Sequence, residues 1–205
     1  LNAIRGVYYP NDQRMLDLCD ERGLLFMEEI PLWSLRQEQL RLDIIADRAA
    51  AMLWALIERD VAHPCLWAWS LLNACATDTP EGRLVMEHLA ETAREIDPTR
   101  PVTFFSDRGA RDLCYDLVDL ICLNARPSEW GRARTWEQCL DEMRALVGDK
   151  PLLVSAFDAE GLCGHRNEAQ GVAWSEERQR QALAEASDAL RRRADLAGFF
   201  IGPFG

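Results

Sequence analysis

The stretch CLWAWSLLNACATDTPEGRLVMEHLAETAREIDPTRPVTFFS, residues 65–106, decides the fold. It opens on the apolar, aromatic-rich run CLWAWSL (65–71), the composition of a buried strand. Thr79 then supplies a helix-capping hydroxyl and Pro80 a backbone already set for a first helical turn, so a helix runs from there to about Ile96. A second apolar run, VTFFS (102–106), follows at once. Two strands joined by a helical crossover pair in parallel, because a hairpin turn cannot make that connection.

The same alternation extends outward in both directions. Candidate strands are NAIRG (2–6), LLFMEE (24–29), LVDLICLN (117–124), PLLVSAF (151–157) and AGFFIG (197–202), which with the two above make seven. Asn11 is placed to cap a helix over 12–22 that stops at Gly23, and further helices are expected near 36–60, 108–116, 134–147 and 175–195. Strands separated by helices throughout indicate a parallel α/β fold, and neither a linker nor a repeat divides the chain, so residues 1–205 read as one domain. Glycine-rich phosphate-binding signatures of the GxGxxG and GxxxxGKS types are absent. Two architectures satisfy this pattern: an eight-stranded barrel short of one βα unit, or an open sheet.

Composition narrows the class of partner. At 48% hydrophobic residues over 205 positions the chain can bury a substantial core. Its net charge is −11, with the positive residues scattered, which argues against nucleic acid and against an anionic membrane surface. No apolar run approaches the ~20 residues of a membrane span, and the N-terminal residues do not read as a signal peptide. Cysteines 19, 65, 75, 114, 122, 139 and 163 show no metal-binding spacing, so reduced, buried thiols in a cytoplasmic protein are expected, with no metal and no cofactor.

In a parallel barrel the reactive groups stand at the C-terminal ends of the strands. That rule gathers Tyr8, Glu28, Glu29, Trp33, Asn73, Ala74, Cys75, Asn124, Arg126, Ala156, Asp158 and Gly202 on one rim. Alternation along the strand turns one of Glu28 and Glu29 toward the barrel and the other toward the helices.

The ordered phrases NAIRGVYYPND, LDLCDERGLLFMEEIPLW, ERDVAHPCLWAWSLLN, EIDPTRPVTF and KPLLVSAFDAEG resemble the barrel domain of glycoside hydrolase family 2, the β-glucuronidase and β-galactosidase family. The resemblance runs in order through nearly the entire chain. It implies a TIM (β/α)8-type barrel with strands two to eight present and the first βα unit missing upstream of NAIRG. It also implies retaining hydrolysis of a β-glycoside, which needs two carboxyl groups roughly 5–5.5 Å apart. The family's acid/base follows the asparagine of a W-S-x-x-N-E pattern, which matches Asn73 and leaves Ala74 at the acid position. Its nucleophile, the glutamate of S-E-[FY]-G, maps onto Ala156 within Ser155–Ala156–Phe157–Asp158. Other rim positions depart too: the family's histidine after NAIR is Tyr8, its N-x-Y tyrosine is Arg126, and its last-strand tryptophan is Gly202. Scaffold positions such as Arg5, Asp97–Arg100 and Lys150–Pro151 match.

A methyl group supplies neither a proton nor a covalent intermediate, so the resemblance implies a β-glycosidase barrel inactive as one. Such a pseudoenzyme at most binds a small-molecule or carbohydrate ligand at its rim. Trp33, Trp69 and Trp130 are candidates for stacking on it, and Asn73 and Asn124 for holding hydroxyls. Tyr8, Glu29, Cys75 and Arg126 complete the candidate ligand-binding set, Arg126 as a clamp for an anionic group and Cys75 as a thiol that a histidine such as His165 would have to activate. Two alternatives stand beside this reading. One is a rebuilt site, natural or designed, that catalyses a different reaction with Asp158 as base; the other is a non-functional scaffold or fragment. Seven strands also leave two sheet edges, which predicts self-association or a covering upstream segment.

Overall fold

The computed structural model describes residues 2–124, 135–157, 161–167 and 172–202. Seven strands, β1 (Ala3–Arg5), β2 (Leu25–Glu29), β3 (Leu66–Asn73), β4 (Val102–Ser106), β5 (Ile121–Asn124), β6 (Leu152–Phe157) and β7 (Gly198–Ile201), make one sheet in chain order. Every neighbouring pair is parallel. The helices between them are α1 (Gln13–Arg22), α2 (Gln37–Leu40), α3 (Asp43–Asp60), α4 (Pro80–Ile96), α5 (Trp136–Val147) and α6 (Glu176–Arg191). The result is a nearly closed barrel, a (β/α)8 architecture without its first βα unit, and the open-sheet alternative falls away.

Strand alternation sorts the apolar side chains into two layers. Met27, Ala68, Phe105, Cys122 and Leu153 point into the barrel and pack on one another. Their neighbours Phe26, Trp69, Phe104, Leu123 and Val154 point outward, against Leu53 of α3, Met86 of α4 and Leu140 of α5. At ~1.5–3 kcal/mol for each large side chain taken out of water, this double layer is what commits the chain to a barrel.

Local chemistry accounts for the ends of the elements. Thr79 accepts a hydrogen bond from the Gly82 amide and Pro80 begins α4, as its sequence predicts. Gly82 is required there, since a Cβ would lie 2.1 Å from the Ala76 carbonyl oxygen; the first turn of α4 thus lies directly on the loop that follows β3. Elsewhere the boundaries differ. Asp12, not Asn11, caps α1 by accepting from the Arg14 amide, and Asn11 is drawn instead to Glu28. The helix expected over 36–60 is two helices, with Leu42 in extended conformation between them. Residues 108–116 form only the short 3-10 turns Gly109–Arg111 and Tyr115–Leu117, because the buried Asp112 between them accepts from the Ser106 and Thr77 hydroxyls and the Cys114 amide.

Candidate active site

The mouth of the barrel is organised around Arg5. Alternation in β1 turns its guanidinium inward, where Nη2 donates to Glu29 Oε2 at 3.0 Å and Nη1 donates to Ser155 Oγ at 2.7 Å. That second bond runs from β1 to β6, spanning the side where no described strand joins β1 to β7. The guanidinium carbon sits 3.2 Å from the centre of the Phe105 ring, and Ser70 Oγ donates to Glu29 Oε2 at 2.8 Å. The Arg5 and Glu29 side chains are 5% and 1% exposed, so this is a buried ion pair kept tolerable by hydrogen bonds. Arg5 Nε, Glu29 Oε1 and Asn124 Oδ1 are buried and find no partner among the described residues. Buried polar atoms in native proteins almost always meet protein, water or ligand, and among the described residues these three meet no protein partner.

Asn73 and Asn124 lie at the ends of β3 and β5 and are brought together: Asn124 Nδ2 donates to Asn73 Oδ1 at 2.6 Å. The backbone of Asn73 is stitched to the loop after β2, donating to Leu32 O at 2.8 Å and accepting from the Ser34 amide at 3.0 Å. Through this bridge Trp33 pairs with Asn73, and its ring stands 5.0 Å from that of Tyr8. Ala74 follows at φ 51°, a left-handed conformation that costs an L-residue about 1–2 kcal/mol. Its amide donates to Phe105 O at 2.8 Å and its carbonyl accepts from Arg108 Nη2 at 3.4 Å, which hold the conformation in place. Ala156 lies in β6 by its backbone, one residue past Ser155 and within the Val154–Phe157 interval where pairing with β7 shifts register.

Glu28 and Glu29 divide as alternation requires. Glu28 turns outward, where Oε1 accepts from the Asn11 amide at 3.2 Å and Oε2 from Asn11 Nδ2 at 3.4 Å. Burial pushes its carboxyl up to about 6 despite those two bonds.

Two candidate residues are misplaced by the sequence reading. Trp69 is not a rim aromatic: Ser70 is the inward residue of that pair, so the Trp69 indole points outward, is fully buried, and donates Nε1 to Asp97 Oδ2 at 2.9 Å. Cys75 is not an available thiol. It is 1% exposed with Sγ against the carbonyls of Leu32 and Asn73, and burial pushes its pKa up to about 11. Arg126, Trp130 and Asp158 lie outside the described residues. Arg5, Ser70 and Ser155 are the site residues that sequence reasoning passed over; the signal was a charged residue at an inward position of a short apolar strand.

Six of the cysteines are buried and Cys163 is exposed, all as free thiols. Among the described residues no cluster of His, Cys, Asp or Glu could hold a metal ion, and no helix is long and apolar enough to cross a membrane.

A parallel barrel whose polar groups converge at the C-terminal ends of its strands has the layout of a TIM-barrel enzyme domain. The family model described as "Glycosyl hydrolases family 2, TIM barrel domain" matches residues 1–194, and the chain belongs to that family. Among curated relatives, the β-glucuronidases of Chlorocebus aethiops and Pongo abelii are 26% and 27% identical over 212 residues, covering 99% of this chain. The chain spans about a third of their length, 33% and 32%. Among solved structures, the GH2 β-galacturonidase from Eisenbergiella tayi bound to galacturonate superposes with a TM-score of 0.92 at 34% identity, covering 99% of this chain and 37% of that one. The Bifidobacterium dentium β-glucuronidase complexed with coumarin-3-O-glucuronide gives 0.87 at 25% identity, covering 99% and 34%.

Proposed function

We propose that this barrel has lost retaining β-glycosidase chemistry and keeps a carbohydrate-binding pocket, with a β-uronide as its ligand class. The observation that carries the reading is Ala74, directly after Asn73 at the end of β3. At that station a retaining glycosidase of this family presents its acid/base, and an alanine has no ionisable atom with which to protonate a leaving oxygen. Ala156 in β6 is the matching vacancy for the nucleophile. Glu29 stands in β2, away from both stations, and its carboxylate is held by Arg5 and Ser70 through Oε2. Tyr8, Glu29, Trp33, Asn73 and Asn124 form the described part of the pocket, with Arg126 and Trp130 assigned to it from the sequence.

The uronide class is supported by relatives named as glucuronidases and a galacturonidase. The outer edges of β1 and β7 pair with no described strand. In the same reading they are covered by self-association or by an upstream segment.

The test is a chromogenic assay on the chain beside its Ala74→Glu/Ala156→Glu variant, with 4-nitrophenyl β-D-glucuronide and β-D-galacturonide. The unmodified chain should release nitrophenol no faster than buffer, and the double variant should exceed it. Each missing group contributes several powers of ten, so restoring one alone should yield little. Turnover by the unmodified chain refutes the proposal.

A further inference from the structure

Helix α3 buries one side and leaves the other entirely to solvent. Ala49, Leu53, Leu56 and Ile57 pack into the outer layer of the core. On the opposite side Asp47, Ala51, Trp54 and Glu58 form one row, and Arg48, Met52, Ala55 and Arg59 form a second; all of them are exposed. Both rows have the spacing i, i+4, i+7, i+11. At about 100° per residue that spacing keeps each row within about 60° of arc and sets the second row about 100° round from the first.

A helix face that meets only water is ordinarily charged or polar along its length. Here Trp54 is 46% and Met52 36% exposed, and Ile44, between the two rows and one turn before them, is 52% exposed. Each row is apolar in its middle and charged at both ends, and the two rows carry opposite signs: carboxylates at the ends of the first, guanidiniums at the ends of the second. Asp47, Arg48 and Glu58 enter no ion pair among the described residues, because adjacent positions on a helix do not face each other. Arg59 gives Nε and Nη2 to Asp60 and Asn11 and keeps Nη1.

The equal spacing of the rows specifies what fits them. A two-fold axis parallel to α3 lays the first row of one copy against the second row of another at the same height. Asp47 then meets Arg48 of the second copy, Ala51 meets Met52, Trp54 meets Ala55 and Glu58 meets Arg59, and the symmetry repeats each contact. Large side chains fall opposite small ones, and opposite charges close both ends of the apolar centre. Antiparallel packing would set each row on its own counterpart, carboxylates on carboxylates and guanidiniums on guanidiniums. We infer that α3 is a self-recognition surface through which two copies of the chain pair with their α3 helices parallel. The surface lies between β2 and β3 in the chain, away from the open edges of β1 and β7, and it depends on no ligand. One helix face is smaller than the ~800 Å² per partner of a standard interface, so the association is micromolar, with the exposed charges setting its direction more than its strength.

Sedimentation equilibrium of the full chain from about 1 to 200 μM tests it. A monomer–dimer equilibrium is expected. Arg48→Glu sets a carboxylate against Asp47 of the second copy and should weaken the dimer about tenfold or more, as should Trp54→Ser. The double reversal Asp47→Arg/Arg48→Glu exchanges the signs at that end and should return the dissociation constant to within about threefold of the original. All of these positions are exposed, and unchanged melting curves by circular dichroism establish that the variants are folded. A monomer at every concentration overturns the inference, as does a dimer indifferent to Arg48→Glu and Trp54→Ser, which would be held by the strand edges. A dimer that tightens with Arg48→Glu is antiparallel and overturns it too, and a double reversal as weak as the single one removes the pairing of Asp47 with Arg48 on which it stands.

Discussion

Replacing Arg5 with methionine probes what holds the mouth of the barrel. The substitution keeps an unbranched chain over Phe105 but deletes the donors to Glu29 and Ser155. Glu29, 1% exposed in its side chain, would keep only the Ser70 hydroxyl as partner for Oε2, while Oε1 already has none among the described residues. Breaking one side of a buried pair strands the other charge, at a cost of about 3–5 kcal/mol. For a chain of this size that corresponds to a fall in Tm of roughly 6–20 °C, at ~2–4 °C per kcal/mol. Glu29→Leu should cost a comparable amount for the converse reason. The double substitution Arg5→Met/Glu29→Leu should cost markedly less than the sum, because two apolar side chains of similar volume leave no buried charge. Urea denaturation followed by circular dichroism on the three variants gives the coupling energy directly. A single-variant loss below about 1 kcal/mol, or strict additivity in the double variant, would refute the strut.

Two further perturbations follow from the fold. The Glu28 carboxyl is raised from 4.5 to about 6 by burial, so the stability it contributes is complete below about pH 4.5 and is lost as the pH rises through 6. That gap is worth about 2 kcal/mol, and Glu28→Gln should abolish that part of the pH dependence; urea midpoints between pH 4.5 and 7.5 that fall equally in both proteins would contradict it. Gly82→Ala should destabilise by about 1–3 kcal/mol even though alanine is the better helix former, because its Cβ would meet the Ala76 carbonyl at 2.1 Å. A gain in thermal midpoint would show that the loop after β3 yields more easily than its contacts imply.

The alternation of apolar runs with capped amphipathic segments made the seven strands, the parallel order and α4 legible in the sequence, since each depends on local chemistry such as Thr79 and Pro80. The pairing of Asn73 with Asn124 was implied only as a shared rim; the hydrogen bond itself spans 51 residues of chain and needs the barrel to form. Cys75 lies in the loop beyond β3, where its thiol turns onto the carbonyls of Leu32 and Asn73, a contact made only in the folded barrel, and Trp69 is misplaced for a different reason. Proximity to the rim in sequence says nothing about which face a strand residue presents, and Ser70, the inward neighbour, settles the register through Glu29. Arg5 reads as scaffold in the sequence and not as a site residue, because its partners lie 24 and 150 residues away, a distance at which periodicity carries no information. The outward turn of Glu28 was equally hidden, because alternation requires one of the two glutamates to face the barrel without saying which.

The most direct test of the vacated site is a crystal structure of the unmodified chain soaked with 4-nitrophenyl β-D-glucuronide. The glycoside should be found intact, its anomeric carbon lying between the backbones of residues 74 and 156 and no carboxylate within bonding distance of its glycosidic oxygen. A cleaved sugar, a covalent glycosyl adduct, or a glutamate or aspartate reaching that oxygen would contradict the account.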